Sequence, residues 1–129
     1  MESKSVYLVC YGNSEENIKI TFDKKIIGSS NRTRIPDGQT VYLVVKRDSE
    51  WTVVGRASID QETDDNPFNN ADKYKTYSVT DLQICEPFSI TKACKEHLGN
   101  NYGLVLRTPR AIRVDAFCSY IEQHFKQIK

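Results

Sequence analysis

The sequence predicts an α+β fold, a barrel of mostly antiparallel β-strands with a few helices flanking it. Three observations predict it. The strand-like runs are short and separated by turn sequences, few helical crossovers join them, and 129 residues is the size of one domain, 1–129. A chain of that length buries enough apolar surface to fold without staples.

Ser5 to Tyr11 is β-branched and aromatic and ends at Gly12-Asn13, which predicts a strand and a turn. Ser14 to Asn17 can open a helical turn, and Ile18 to Phe22 alternates apolar with polar residues, so helix and strand are both open there. The run from Ile26 to Asn31 passes into small polar residues and reads as a loop. Ile35-Pro36-Asp37-Gly38 is a turn sequence. Val41 to Lys46 is the clearest strand, with an apolar run that predicts burial on both faces. Arg47 to Glu50 is a polar hairpin connection to the strand Trp51 to Ile59, where Gly55 predicts a bulge or a close backbone approach.

Asp60 to Lys75 is long, acidic and amide-rich, a loop of the kind that often carries function. Tyr77 to Cys85 is a strand that Glu86-Pro87 ends, and Ser89 to Leu98 is a helix with Gly99 as its C′ residue. Leu104 to Leu106 reads as a strand. Asp115 caps a last helix to about Ile128, with Phe117, Cys118, Ile121, Phe125 and Ile128 on its apolar face.

Net charge is +1, which disfavours a high-affinity nonspecific coat on duplex DNA and leaves room for a local basic face. No apolar run is long enough to span a bilayer, and Met-Glu-Ser-Lys-Ser lacks a secretory leader, so we expect no membrane partner and a cytoplasmic location, or a nuclear one in a eukaryote. Cys10, Cys85, Cys94 and Cys118 show no C-x-x-C spacing and read as reduced, structural thiols.

No catalytic motif is visible: the chain has no G-x-S-x-G elbow, Walker A loop or H-E-x-x-H helix, and His97 and His124 read as helix-terminal or surface residues. Asp60, Glu62, Asp64 and Asp65 match a calcium loop only loosely and read as a solvated loop, so we expect no metal, no cofactor and no enzyme. A more coherent pattern runs through three loops. Gly28-Ser29-Ser30-Asn31 offers backbone N–H, hydroxyl and amide groups that can read a base edge, next to Arg32 and Arg34. The long loop carries Phe68, with Tyr74 and Tyr77 after it, and Arg107-Thr108-Pro109-Arg110 with Arg113 can clamp phosphates. For Tyr77 and Trp51, core packing and base stacking are both open.

Ile27 to Asn31, Pro36 to Tyr42 and Trp51 to Ala57, followed by Tyr77-Ser78-Val79, Leu82 to Pro87, Leu104 to Arg107 and Ile112 to Phe125, resemble in order the motifs of EVE domains, PUA-like barrels related to the YTH readers. The resemblance implies a non-catalytic module that holds a methylated or hydroxymethylated base of DNA or RNA in an aromatic pocket, alone or as part of a larger effector protein. It places Gly28 to Asn31 at the pocket border, Tyr77 as an aromatic wall, and Arg107 and Arg110 on a basic rim. Ile27 stands where the family has a loop aromatic, so Phe68 or Trp51 must supply the missing ring, and Asp37-Gly38 inverts the family's turn. The alternatives are a protein-interaction or regulatory module on the same barrel and a small metal-dependent hydrolase using the acidic loop.

Overall fold

Tyr11 shows how the chain closes on itself. It follows β1 (Tyr7–Cys10), yet its hydroxyl accepts a 3.0 Å bond from the backbone N–H of Gly28 in β2 (Ile26–Ser29) and pairs with Thr21 Oγ1 at 2.8 Å. In this computed structural model, residues 5–30, 34–68, 72, 74–100, 102–107 and 111–128 are described, without the side chains of 104, 105 and 107. The five strands form one sheet in the order β1-β3-β4-β5-β2, whose two edge strands approach each other and nearly close a barrel. Among the described residues the other strands are β3 (Thr40–Arg47), β4 (Glu50–Glu62) and β5 (Lys75–Ser89), and only β1 with β3 runs parallel. The mostly antiparallel barrel that the sequence predicts is therefore present.

Local chemistry explains where the elements fall. Ser14 Oγ accepts from Asn17 N at 3.1 Å and opens α1 (Glu15–Lys24); Lys25 closes it in the left-handed region, with φ 56°. The cap decides the choice that the alternating pattern left open: Ile18 and Thr21 are buried facing the barrel interior. The segment read as a loop at 26–29 is β2, because pairing with β5, Gly28 opposite Thr76, supplies what its small residues lack in strand propensity. Asp48 and Ser49 both have positive φ, 50° and 66°, the geometry of a two-residue hairpin turn that matches strand twist. β5 runs through Glu86-Pro87 to Ser89 rather than ending there; Pro87 sits in an irregularity of the β4 pairing, where no ladder N–H is required of it. The last residues cover that edge, Ile128 N donating to Ile84 O at 2.8 Å.

β3 is buried on both faces, as expected. Val41, Leu43 and Val45 face the interior with Val54, Ile59 and Tyr77, while Tyr42 and Val44 face an outer core built by the helices α2 (Thr91–Leu98), α3 (Tyr102–Arg107) and α4 (Asp115–His124). Residues 104–106 are helical and not a strand: Leu106 is buried there against Ile90, Cys94 and Phe117. Val114, not Asp115, is the N-cap of α4, and the helix stops at His124, which leaves Ile128 exposed. Among the described residues no helix is long and apolar enough to cross a membrane.

Tyr77 settles in the core. It is fully buried and its hydroxyl accepts from Ile35 N at 3.0 Å, so it packs in the core and does not form the pocket wall expected of it. Tyr77→Phe should lower stability by about 1–3 kcal/mol, since a buried N–H loses its acceptor. A shift of the urea midpoint at constant slope measures this.

Candidate functional site

The described residues bring three rings together over one glycine. Tyr11 and Phe68 lie with centroids 5.5 Å apart, Phe68 and Tyr74 at 5.6 Å, and Tyr11 and Tyr74 at 5.9 Å in a T-shaped contact. All three rings are buried, Tyr74 to 8% and Phe68 to 5% exposure. Gly28 forms the floor: a Cβ there would lie 2.9 Å from Cβ and Cγ of Tyr74 and 3.2 Å from Cδ2 of Phe68. The glycine is needed for this close approach and not for its backbone angles.

The long loop presents two of the rings, and its own polar groups fold it. Thr63 N donates to Thr76 O at 3.1 Å, and Thr76 Oγ1 donates to Thr63 O at 2.8 Å, which closes the base of the loop. Above it the Asn66 carboxamide ties the two ring-bearing segments, donating to Tyr74 O at 3.3 Å and accepting from Phe68 N at 3.4 Å. Asn17 on α1 adds a polar group to the cluster. It is 3% exposed and its side chain hydrogen-bonds Tyr74, which offsets part of the rise that burial causes in the Tyr74 pKa. Burial pushes the Tyr11 phenol further up, partly offset by its bonds to Thr21 and Gly28. Both phenols are neutral at physiological pH and act as hydrogen-bonding rings.

The residues predicted to line a base pocket separate into two groups. Gly28 and Phe68 meet in the ring cluster, with Ser29 beside them buried to 1%. Ser29 therefore sits within the barrel and not on an open rim. Ser30 and Trp51 instead line an open groove of about 510 Å³ on the outer side of β1. Of the predicted phosphate contacts, Arg34 is committed to Asp37 at 2.9 Å and Glu62 at 3.3 Å, and Lys75 joins Glu62 at 3.3 Å. These ion pairs neutralise part of the acidic loop. Asn31, Arg32 and Arg110 lie outside the described residues, as does the side chain of Arg107 on α3; Arg113 is exposed. Ser78 Oγ donates to Asp60 Oδ2 at 3.1 Å, and among the described residues no group of three or more His, Cys, Asp or Glu is placed to hold a metal. His124 stacks on Tyr120 at 4.1 Å.

The sequence singles out Tyr74 with Phe68, but not Tyr11 or Asn17. Tyr11 ends a strand-like run, and Asn17 reads as a helix-opening residue. Their one signal is adjacency to elements that turn back, which has meaning only once the barrel closes.

All four thiols are free. Desolvation pushes Cys10 and Cys94 up to about 12 and Cys85 to about 11, so these thiols stay protonated at pH 8. The native protein should therefore react slowly with an aromatic disulfide reagent at pH 8, even at half-buried Cys10, whereas all four thiols of the urea-unfolded chain should react at once.

No protein-family model matches the chain, and no curated protein matches it significantly. Solved structures do. The fold is similar to that of YTH domains; the finer resemblance to EVE domains finds no family model behind it. A crystal structure of the Pho92 YTH domain in complex with m6A is similar at TM-score 0.61 and 16% identity, over 96% of this chain and 85% of that one. A crystal structure of the MmI1 YTH domain is similar at TM-score 0.57 and 12% identity, over 93% of this chain and 96% of that one.

Proposed function

We propose that the chain is a non-catalytic nucleic-acid-binding module that recognises a methylated or hydroxymethylated base at the Tyr11–Phe68–Tyr74 cluster. The observation that carries this reading is three rings around a floor glycine, with a buried carboxamide in reach, on a fold shared with a YTH domain solved with m6A. Apolar contact distances of about 3.5 Å require ring walls roughly 7 Å apart to sandwich a base. The centroids here are 5.5–5.9 Å apart, so the described state is closed and Phe68 and Tyr74 must separate to admit the ligand. The Asn66 bonds that tie the two segments are long, 3.3 and 3.4 Å.

On opening, Asn17 exchanges its bond to Tyr74 for one to the polar edge of the base, with a donor and an acceptor to offer. A methyl group enclosed by the rings adds about 0.8 kcal/mol of burial beyond the stacking itself, and an unmodified base lacks it. Arg32, Arg107 and Arg110 are the phosphate contacts this reading assigns.

The test is a titration with short RNA and DNA oligonucleotides carrying methylated adenine, methylated cytosine, hydroxymethylated cytosine or no modification. The expected result is a preference of several-fold or more for one modified base. Equal affinity for all of them at low salt rejects the reading and leaves the protein-interaction alternative in its place.

A further inference from the structure

The three residues Cys10, Tyr11 and Gly12 have two sides. Tyr11 turns into the ring cluster, while Cys10, on the opposite face of the strand's alternation, and Gly12, in the turn that follows, line the outer groove. Ser30, just past the end of β2 and two residues beyond Gly28, also borders the groove. The groove thus continues from the back of the proposed base site. Its other walls are Trp51 at the start of β4, Asn100, and Tyr102 on α3.

We infer that this groove is a stacking subsite for the nucleotide adjacent to the modified base, an assignment that rests on the function proposed above. Trp51 and Tyr102 are half-buried, packed against the outer core while bordering the groove. Trp51 is a fixed platform. Its backbone N–H donates to Thr91 Oγ1 at 2.8 Å and its carbonyl accepts from Ile90 N at 2.7 Å. The Lys46 ammonium lies 5.4 Å from the indole centroid, an exposed cation placed for a phosphate. Among the described residues that line the groove none is a carboxylate. Aromatic platforms beside a cation take any base of a single strand, because every base has a π-face. The groove therefore adds affinity and not sequence choice.

Trp51 is the only tryptophan, so its fluorescence reports this subsite directly. The experiment compares a modified mononucleoside with a trinucleotide carrying the same base at its centre. The trinucleotide should bind roughly tenfold tighter and quench the fluorescence, whereas the mononucleoside should bind without quenching. Trp51→Ala should abolish that gain and leave mononucleoside affinity unchanged, and Trp51→Phe should keep most of it. A trinucleotide that binds no tighter, or that binds Trp51→Ala equally well, overturns the inference while the base-reading function stands. If no modified ligand is preferred, that function fails, and the groove is judged by an unmodified trinucleotide at low salt. Quenching by it sustains the subsite, and its absence overturns the subsite as well.

Discussion

Gly55→Ala should destabilise the protein by about 3 kcal/mol, with a fall of roughly 10 °C in Tm. A Cβ at Gly55 would lie 2.7 Å from the carbonyl oxygen of Gln83 and 3.1 Å from Cε1 of Phe22. The first of these neighbours is backbone, held in the β4–β5 ladder where Gly55 pairs with Ile84 and Arg56 with Gln83, so it cannot step aside. The β3–β4 ladder holds the other side, Gly55 opposite Leu43. Relief therefore requires moving a central strand, which disturbs both cores. Gly103→Ala is the contrast: its Cβ would meet nothing within 4 Å, and alanine in a helix should be neutral or gain up to about 1 kcal/mol. Thermal and urea unfolding of the two variants measure the difference.

Gly28→Ala should weaken binding of the preferred modified oligonucleotide by about tenfold and lower stability by only about 1–2 kcal/mol. The new methyl would again be too close, at 2.9 Å, but here to the Tyr74 side chain, with Phe68 next at 3.2 Å. Those rings belong to a loop that can yield, so the fold survives and the ring geometry does not. Stacking depends on that geometry, and a displaced wall forfeits much of its contribution. Affinity for unmodified oligonucleotide, which stacks in the same site without the enclosed methyl, should fall by a somewhat smaller factor. The two glycines thus separate backbone crowding from site crowding, with circular dichroism melts for one and binding titrations for both.

The strands that carry their own β-branched runs were legible in the sequence: Val41–Lys46, Trp51–Ile59 and Tyr77–Cys85 all lie within strands of the barrel. So were the helix after Ser89 and the apolar face Phe117, Cys118 and Ile121, all buried. What failed was structure conferred by distant partners. Ile26–Ser29 becomes a strand only because β5 pairs with it, and Leu104–Leu106 becomes a helix because the outer core offers Leu106 a place. Tyr77 looked equally suited to core and pocket; the Ile35 N–H that it satisfies, 42 residues away, decided for the core. Gly28, Phe68 and Tyr74, all singled out in the sequence, meet in the proposed cluster, whereas Tyr11 and Asn17 reach it through barrel closure and helix capping, which no local pattern records.

The claim that the three-ring cluster is where a modified base enters can be read atom by atom. Ring-proton resonances of Tyr11, Phe68 and Tyr74 are followed by NMR as the preferred methylated oligonucleotide is added. The account predicts large shifts of all three rings, with those of Tyr77 nearly unmoved. Saturable binding that leaves the rings of Phe68 and Tyr74 unperturbed would contradict it.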